Sequence, residues 1–270
     1  MHKQKIVFIG GGNMAEAIFA GLINNNIQIQ VIQRNLEKLA RLKELYPQIE
    51  FSTTLDYSPT ENDIVFLSVK PQNAKETCLN LQSKLQNCTL ISVMAGTTVK
   101  SISEWTNNTK IIRTMPNTPS SIKKGITAIF FTPEVSTNIK ELTIDIFNNI
   151  GIVHLAKSEN VIDEIVPVSS SSIAFVYYFM EGMINSAVNR FGFSESEATE
   201  LVQQVVAGSS ALLSANSQIS IFEQRQRVTS KKGATEQGVL TFEKYKLHAL
   251  IDEAMQNCYA RTLEMAKEFN

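Results

Sequence analysis

The chain has 270 residues, a length that suits two domains and is too long for a minimal module. Hydrophobic residues make up 43% of it and charged residues 19%, enough apolar material for a real core, which excludes global disorder. Lysine and arginine together number 25 against 26 acidic residues, so no electrostatic argument favours nucleic acid or an anionic membrane surface as partner.

Cys78, Cys88 and Cys258 stand at unrelated spacings, with no C-x-x-C and no nearby histidine. They make neither a disulfide framework nor a zinc site, so no metal is expected and a reducing cytoplasm fits best. The apolar run that opens at Lys5 is too short for a signal-peptide core, and no stretch of about 20 apolar residues follows it. The expectation is a cytoplasmic globular protein with no membrane span.

In chain order, the pattern predicts strands at Lys5–Ile9, Ile27–Gln33, Asp63–Val69, Cys88–Met94, Lys110–Met115 and Ile126–Phe131. Helical patterns lie between several of them, as at Met14–Leu22 and Leu36–Leu45. Such alternation predicts βαβ units and a mostly parallel sheet. After Pro167 the prolines stop, and apolar residues recur at helical spacing, as in Leu247, Ile251, Ala254 and Cys258. Long helices are expected from Val161 onward, over Glu195–Ala215, and from Thr235 to the C-terminus. The shift in character places a boundary near residues 155–160. Met180, Met183, Ile184, Val188 and Phe191 are hard to bury within so small a helical domain, which points to oligomerisation through this half.

The first strand runs into Gly10-Gly11-Gly12-Asn13-Met14-Ala15, in which Gly10, Gly12 and Ala15 fill G-x-G-x-x-G/A. Gly10 permits a tight turn, Gly12 lets the backbone approach a pyrophosphate, and Ala15 lets the helix pack close to the sheet. A pyrophosphate then sits at the helix N-terminus, where free N–H groups and the helix dipole favour an anion. At the end of the second strand, an NAD site carries an acid for the ribose 2′-hydroxyl. Here Gln33-Arg34-Asn35 offers none, and Arg34 suits a 2′-phosphate, so NADP(H) is expected over NAD(H). Ser68-Val69-Lys70-Pro71 and Ala95-Gly96 end two further strands, where ligands bind in open α/β sheets, and are expected to line the coenzyme site.

Arg113-Thr114-Met115-Pro116-Asn117-Thr118-Pro119 carries a family resemblance. Together with the glycine turn, Ser68–Pro71 and Val228-Thr229-Ser230-Lys231-Lys232-Gly233-Ala234-Thr235-Glu236-Gln237-Gly238-Val239, the chain resembles pyrroline-5-carboxylate reductase along essentially its whole length. The resemblance implies an α/β fold: an NADP-binding Rossmann domain over residues 1–157 and an all-helical dimerisation and substrate domain over 158–270. It implies homodimers through the C-terminal helices, which in this family often build into decamers. The implied reaction is NAD(P)H-dependent reduction of the cyclic imine 1-pyrroline-5-carboxylate to L-proline, the last step of proline biosynthesis.

That reaction needs little acid–base apparatus, since the imine is readily protonated before it accepts a hydride. The site must position and solvate. Gly233, Ala234 and Thr235 are expected to open a helix whose N–H groups hold the substrate carboxylate. Thr235 matches the family's catalytic threonine, with its hydroxyl toward the ring nitrogen, while Ser230 and Asn117 complete the implied substrate contacts. A plain helix-capping role is the structural alternative for Thr235.

Two stretches depart from the family pattern. Lys232 stands where the first glycine of a pair is usual, which calls for a strained φ > 0, adds a cation for an anionic substrate or, as the favoured reading, leaves a solvated side chain. Ser169-Ser170-Ser171-Ser172-Ile173-Ala174-Phe175 replaces a Ser-Gly-Ser-Gly-Pro-Ala-Tyr-like run. These departures keep open a divergent NADP-binding paralogue with weak or absent catalysis and a regulatory role. A β-hydroxyacid dehydrogenase is disfavoured, because residues 161–192 lack a Gly-x-x-x-Asn-Lys-like run. His2, His154 and His248 sit in no motif, and Trp105 is expected in the core.

Overall fold

A computed structural model describes residues 5–23 and 27–269; His2 lies outside them. The chain divides into two compact units. One runs to Ser170 and takes in the chain again from Cys258, and the other spans Ser171–Asn257.

The first unit holds β1 (Lys5–Ile9), α1 (Asn13–Leu22), β2 (Gln28–Ile32), α2 (Leu36–Leu45), β3 (Glu50–Ser52), β4 (Ile64–Leu67), α3 (Ala74–Leu85), β5 (Thr89–Ser92), α4 (Val99–Thr106), β6 (Ile111–Pro116), β7 (Gly125–Phe131), α5 (Thr137–Asn148), β8 (Gly151–Leu155) and α6 (Val161–Glu164). Among the described residues its eight strands form one sheet in the order β3-β2-β1-β4-β5-β6-β7-β8. Every pairing is parallel except β6 with β7. That exception follows from connection length: only the residues between Pro116 and Gly125 join the two strands, too few for a parallel crossover.

All six strands read from the sequence are present. The edge strands β3 and β8 were not legible: β3 has three residues, and in β8 Gly151 and His154 leave only Ile152-Val153 as consecutive apolar residues. The inner strands are buried on both faces. Ile6 and Phe8 of β1 join one core with Ile18, Phe19, Phe66 and Phe147. Val7 and Ile9 face the other core, with Leu67, Cys78, Leu90 and Trp105. Phe8 stacks on Phe66 with ring centroids 4.5 Å apart and meets Phe19 edge-on at 5.6 Å. Each such side chain contributes about 1.5–3 kcal/mol by leaving water, so the glycine turn hangs from the firmest part of the sheet.

The second unit is helical: α7 (Ser172–Phe191), α8 (Glu195–Ala215), α9 (Ile221–Arg227), α10 (Ala234–Lys244) and the first half of α11 (Leu247–Phe269). Gly192, at φ 76°, ends α7, and a capping box starts α8: Glu197 N–H donates to Ser194 Oγ at 3.3 Å while Ser194 N–H donates to Glu197 Oε2 at 2.9 Å. Two expected helices are broken. The one from Val161 stops at Glu164 and continues as a π-helical turn over Val166–Ser171, where Pro167 has no N–H to give. The one from Thr235 is interrupted at Tyr245 and Lys246, with Lys246 in left-handed backbone at φ 53°. No glycine or proline marks that break in the sequence.

The apolar helical surface is largely uncovered within one chain. No residue of α7 is buried, and Tyr178 and Phe191 are 79% and 72% exposed. Among the described residues, no helix is long and apolar enough to cross a membrane.

Candidate active site

The strand order reverses at β1, whose neighbours β2 and β4 carry the chain in opposite directions across the sheet. The carboxyl ends of β1 and β4 therefore form the crevice where ligands bind in such sheets. A cleft of about 710 Å³ lies there, lined among others by Gly10, Gly11, Gly12, Arg34, Asn35, Ser68, Val69 and Lys70.

Gly10 has φ 106°, and a side chain on it would stand 2.6 Å from the Ser68 carbonyl oxygen. The turn is thus closed against β4. Ser68 Oγ fixes it further, donating to Gly10 O at 2.8 Å and Ile9 O at 3.1 Å. Gly12 differs: a Cβ there would meet nothing within 4 Å, so open space borders the backbone at the start of α1. Gly12 itself is the N-cap, and no side chain caps that first turn. This suits the close approach of an anion to backbone N–H groups.

At the other end of the cleft, α2 also begins. Asn35 caps it by accepting from Lys38 N–H at 2.8 Å. Arg34 and Lys38 are exposed and have no ion-pair partner among the described residues. The charged lining residues are Arg34, Lys38, Lys70 and Lys84 against Asp56 alone, so the cleft is cationic in a chain of net charge −1. Lys84 donates to the Leu55 carbonyl.

Asn13, Met14, Ala15, Pro71, Ala95 and Gly96 are not among the lining residues. Ala15 is fully buried, which is the spacer role the motif gives it. Pro71 opens a short 3₁₀ turn, Pro71–Asn73. Gly96, at φ 72°, lies against the end of α11: Ala266 N and Phe269 Cδ2 are each 3.4 Å from where a Cβ would stand. Sequence reasoning missed Gln33, Lys38, Thr53, Thr54, Asp56 and Lys84.

Asn117 is buried and ties three segments together. Its Nδ2 donates to Ser169 O at 2.8 Å, and its Oδ1 accepts from Ile126 N–H at 2.8 Å. The serine run that replaces the expected glycines is therefore held at the π-helical turn, with Ser169 Oγ donating to Ile165 O at 3.1 Å. The Oγ of Ser170 is buried and has no partner among the described residues.

Arg113, part of the Arg113–Pro119 motif but not read as a site residue, is among the described residues the largest fully buried side chain. It is bidentate to Asp163, with Nη2 to Oδ1 at 2.5 Å and Nη1 to Oδ2 at 3.1 Å, and Nη1 also donates to Glu159 Oε1 at 3.0 Å. Besides its place at the head of the Arg113–Pro119 motif, its sequence signal is an arginine inside an apolar strand, which calls for an anionic partner.

In the helical unit, Gly233 is the N-cap of α10, an earlier helix than the final one expected to follow it. A side chain at Gly233 would fall 2.4 Å from Ser230 Oγ, so these two residues require each other's size. Lys232 has φ 59°, the left-handed conformation that a lost glycine predicts, and its N–H donates to Glu236 Oε2 at 2.7 Å. Ala234 and Thr235 are exposed in the first turn, which no side chain caps. Thr235 is not the cap, and its hydroxyl has no partner among the described residues. By contrast, Thr229 and Thr241 bond back to carbonyls four residues earlier, at 2.7 and 2.9 Å.

His154 and His248 are exposed on β8 and α11, and Trp105 is buried. Burial pushes the thiols of Cys78 and Cys88 up to about 12, so neither is a nucleophile. Among the described residues, no three His, Cys, Asp or Glu side chains are grouped to hold a metal.

Residues 159–265 match the family described as "Pyrroline-5-carboxylate reductase dimerisation", and residues 5–96 match "NADP oxidoreductase coenzyme F420-dependent". Over 273 residues the chain is 33% identical to a pyrroline-5-carboxylate reductase of Vibrio alginolyticus, covering 100% of both sequences. It is 32% identical to one from Haemophilus influenzae, again over 100% of each. Its fold superimposes on a solved pyrroline-5-carboxylate reductase from Coxiella burnetii with a TM-score of 0.86 at 32% identity, covering 98% of this chain and 99% of that one. Matching these relatives from end to end, the chain belongs to the pyrroline-5-carboxylate reductase family.

Proposed function

We propose that this protein reduces 1-pyrroline-5-carboxylate to L-proline, with NADPH as the preferred hydride donor. The observation that carries the coenzyme reading is the cleft: an open backbone at Gly12, a helix N-terminus at each end, and a lining in which four cations, Arg34 at the close of β2 among them, outnumber the single acid Asp56. The pyrophosphate is assigned to Gly10–Ala15 at the start of α1. Arg34 and Asn35, with Lys38, take the ribose 2′-phosphate. Ser68–Pro71 and Ala95–Gly96 border the nicotinamide end. When bound, the nicotinamide supplies the hydride that reaches the C=N carbon.

The substrate carboxylate is assigned to the first N–H groups of α10 at Gly233, Ala234 and Thr235, beside Ser230. The unpartnered Thr235 hydroxyl holds the ring nitrogen and orients the protonated imine. Asn117 serves this reading by fixing the strand end and the serine run through both ends of its amide. A non-catalytic paralogue is not favoured, because the lysine in place of glycine is accommodated by left-handed backbone while the Gly233–Ser230 packing is kept.

The exposed apolar faces of α7 and α8 support assembly of copies through the helical unit as a homodimer. Light scattering separates that dimer from a decamer. The catalytic assignment is tested with Thr235→Ala: kcat/KM for the imine falls by about 10–100-fold, the scale of one lost hydrogen bond to a charged group, while NADPH affinity stays. Unchanged turnover removes Thr235 from the mechanism.

A further inference from the structure

The turn that follows β5 is held by residues from much later in the chain. Glu159 Oε1 accepts from Val99 N–H at 2.7 Å, at the first residue of α4, and the same oxygen accepts from Arg113 Nη1 at 3.0 Å. The carboxylate thus occupies the amino end of α4, where the helix dipole favours an anion. Arg113 is anchored in turn by Asp163 and is only 1% exposed, so Glu159 has a fixed support. On the other flank of the turn, Gly96 packs against Ala266 and Phe269. These two holds, at Gly96 and Val99, fix the Met94–Thr98 turn at the carboxyl end of the strand next to β4.

We infer that Glu159 is a positioning residue for the nicotinamide coenzyme. It sets the Met94–Thr98 turn through the amino end of α4 and touches neither coenzyme nor substrate. This rests on the coenzyme site proposed above. A purely structural role for Glu159 lowers stability and leaves coenzyme affinity of the folded protein unchanged. A positioning role weakens coenzyme binding in protein that is still folded.

The experiment is an NADPH fluorescence titration of the full-length assembled protein, run on wild type, Glu159→Ala and Glu159→Gln, each with its melting temperature. Glutamine keeps an oxygen that accepts from Val99 and is the conservative variant. Glu159→Ala is expected to raise Kd for NADPH about tenfold, the scale of one hydrogen bond to a charged group. It also raises KM for NADPH while kcat and KM for the imine stay near wild type. Glu159→Gln is expected to restore most of the affinity. Wild-type affinity in both variants overturns the inference, as does equal weakening in both. If Glu159→Ala does not fold, Glu159→Asp, whose shorter side chain draws the carboxylate back from Val99, takes its place: NADPH affinity weakened about tenfold supports the inference, and wild-type affinity overturns it. Failure of the wild type to bind NADPH is seen in a separate arm and refutes the coenzyme site itself.

Discussion

Replacing Arg113 with methionine removes a guanidinium that is 1% exposed and makes three hydrogen bonds to carboxylates, at 2.5, 3.1 and 3.0 Å. Methionine fills much of the volume, so the loss is mainly electrostatic. Asp163, 12% exposed, is left as a buried carboxylate with no cation, whereas Glu159, 27% exposed, reaches water more readily. Breaking a buried pair by removing one partner costs about 3–5 kcal/mol. For a unit of this size each kcal/mol shifts the melting temperature by about 2–4 °C, which gives a drop of roughly 6–20 °C. The assay is thermal unfolding followed by circular dichroism, at one fixed protomer concentration because association also raises stability. Arg113→Met/Asp163→Leu should recover most of the loss, since a buried ion pair exchanged for apolar side chains is often neutral or stabilising. A drop below about 2 °C for the single variant, or a double variant no better than the single, refutes this reasoning.

Arg34→Ala should weaken NADPH by about 10–100-fold, the scale of a charge-assisted pair, and leave NADH affinity unchanged; an equal loss for both coenzymes would take the 2′-phosphate away from Arg34. Lys232→Gly relieves left-handed backbone and should stabilise the protein by up to about 1 kcal/mol in urea unfolding, and a destabilised variant would show that the lysine makes a contact of value. Cys78 and Cys88, pushed up to about 12, favour the folded state only while neutral. Their contribution is full below the unfolded thiol pKa of about 8.5 and is lost as pH rises toward 12, so alkaline unfolding should begin above about pH 9. In the same protein at pH 8, Ellman's reagent should spare both thiols until denaturant is added, and their reaction in the native state would contradict the burial.

The first half of the chain was legible because its chemistry is local. Buried parallel strands read as continuous apolar runs, and the glycine turn has fixed spacing beside the first of them. The two edge strands lack such runs. The break at Tyr245–Lys246 was invisible because a lysine there adopts the conformation that glycine usually marks. Arg113, Glu159 and Asp163 were missed for a different reason. They are separated by 46 and 50 residues, and only the fold shows that an arginine in an apolar strand has its counter-charges beyond the sheet. Asn117 was singled out by the motif, but its ties to Ser169 and Ile126 were not readable from it. The lining residues Thr53, Thr54 and Asp56 follow a three-residue strand that no pattern announces.

The reductase assignment stands or falls on the oxidation of NADPH at 340 nm with 1-pyrroline-5-carboxylate, repeated with NADH and with the six-membered cyclic imine. Robust turnover of the five-membered ring is expected, faster with NADPH than with NADH at equal low concentration. No turnover of either ring by protein that binds NADPH would contradict it and return the chain to the reading of a coenzyme-binding protein without this catalysis.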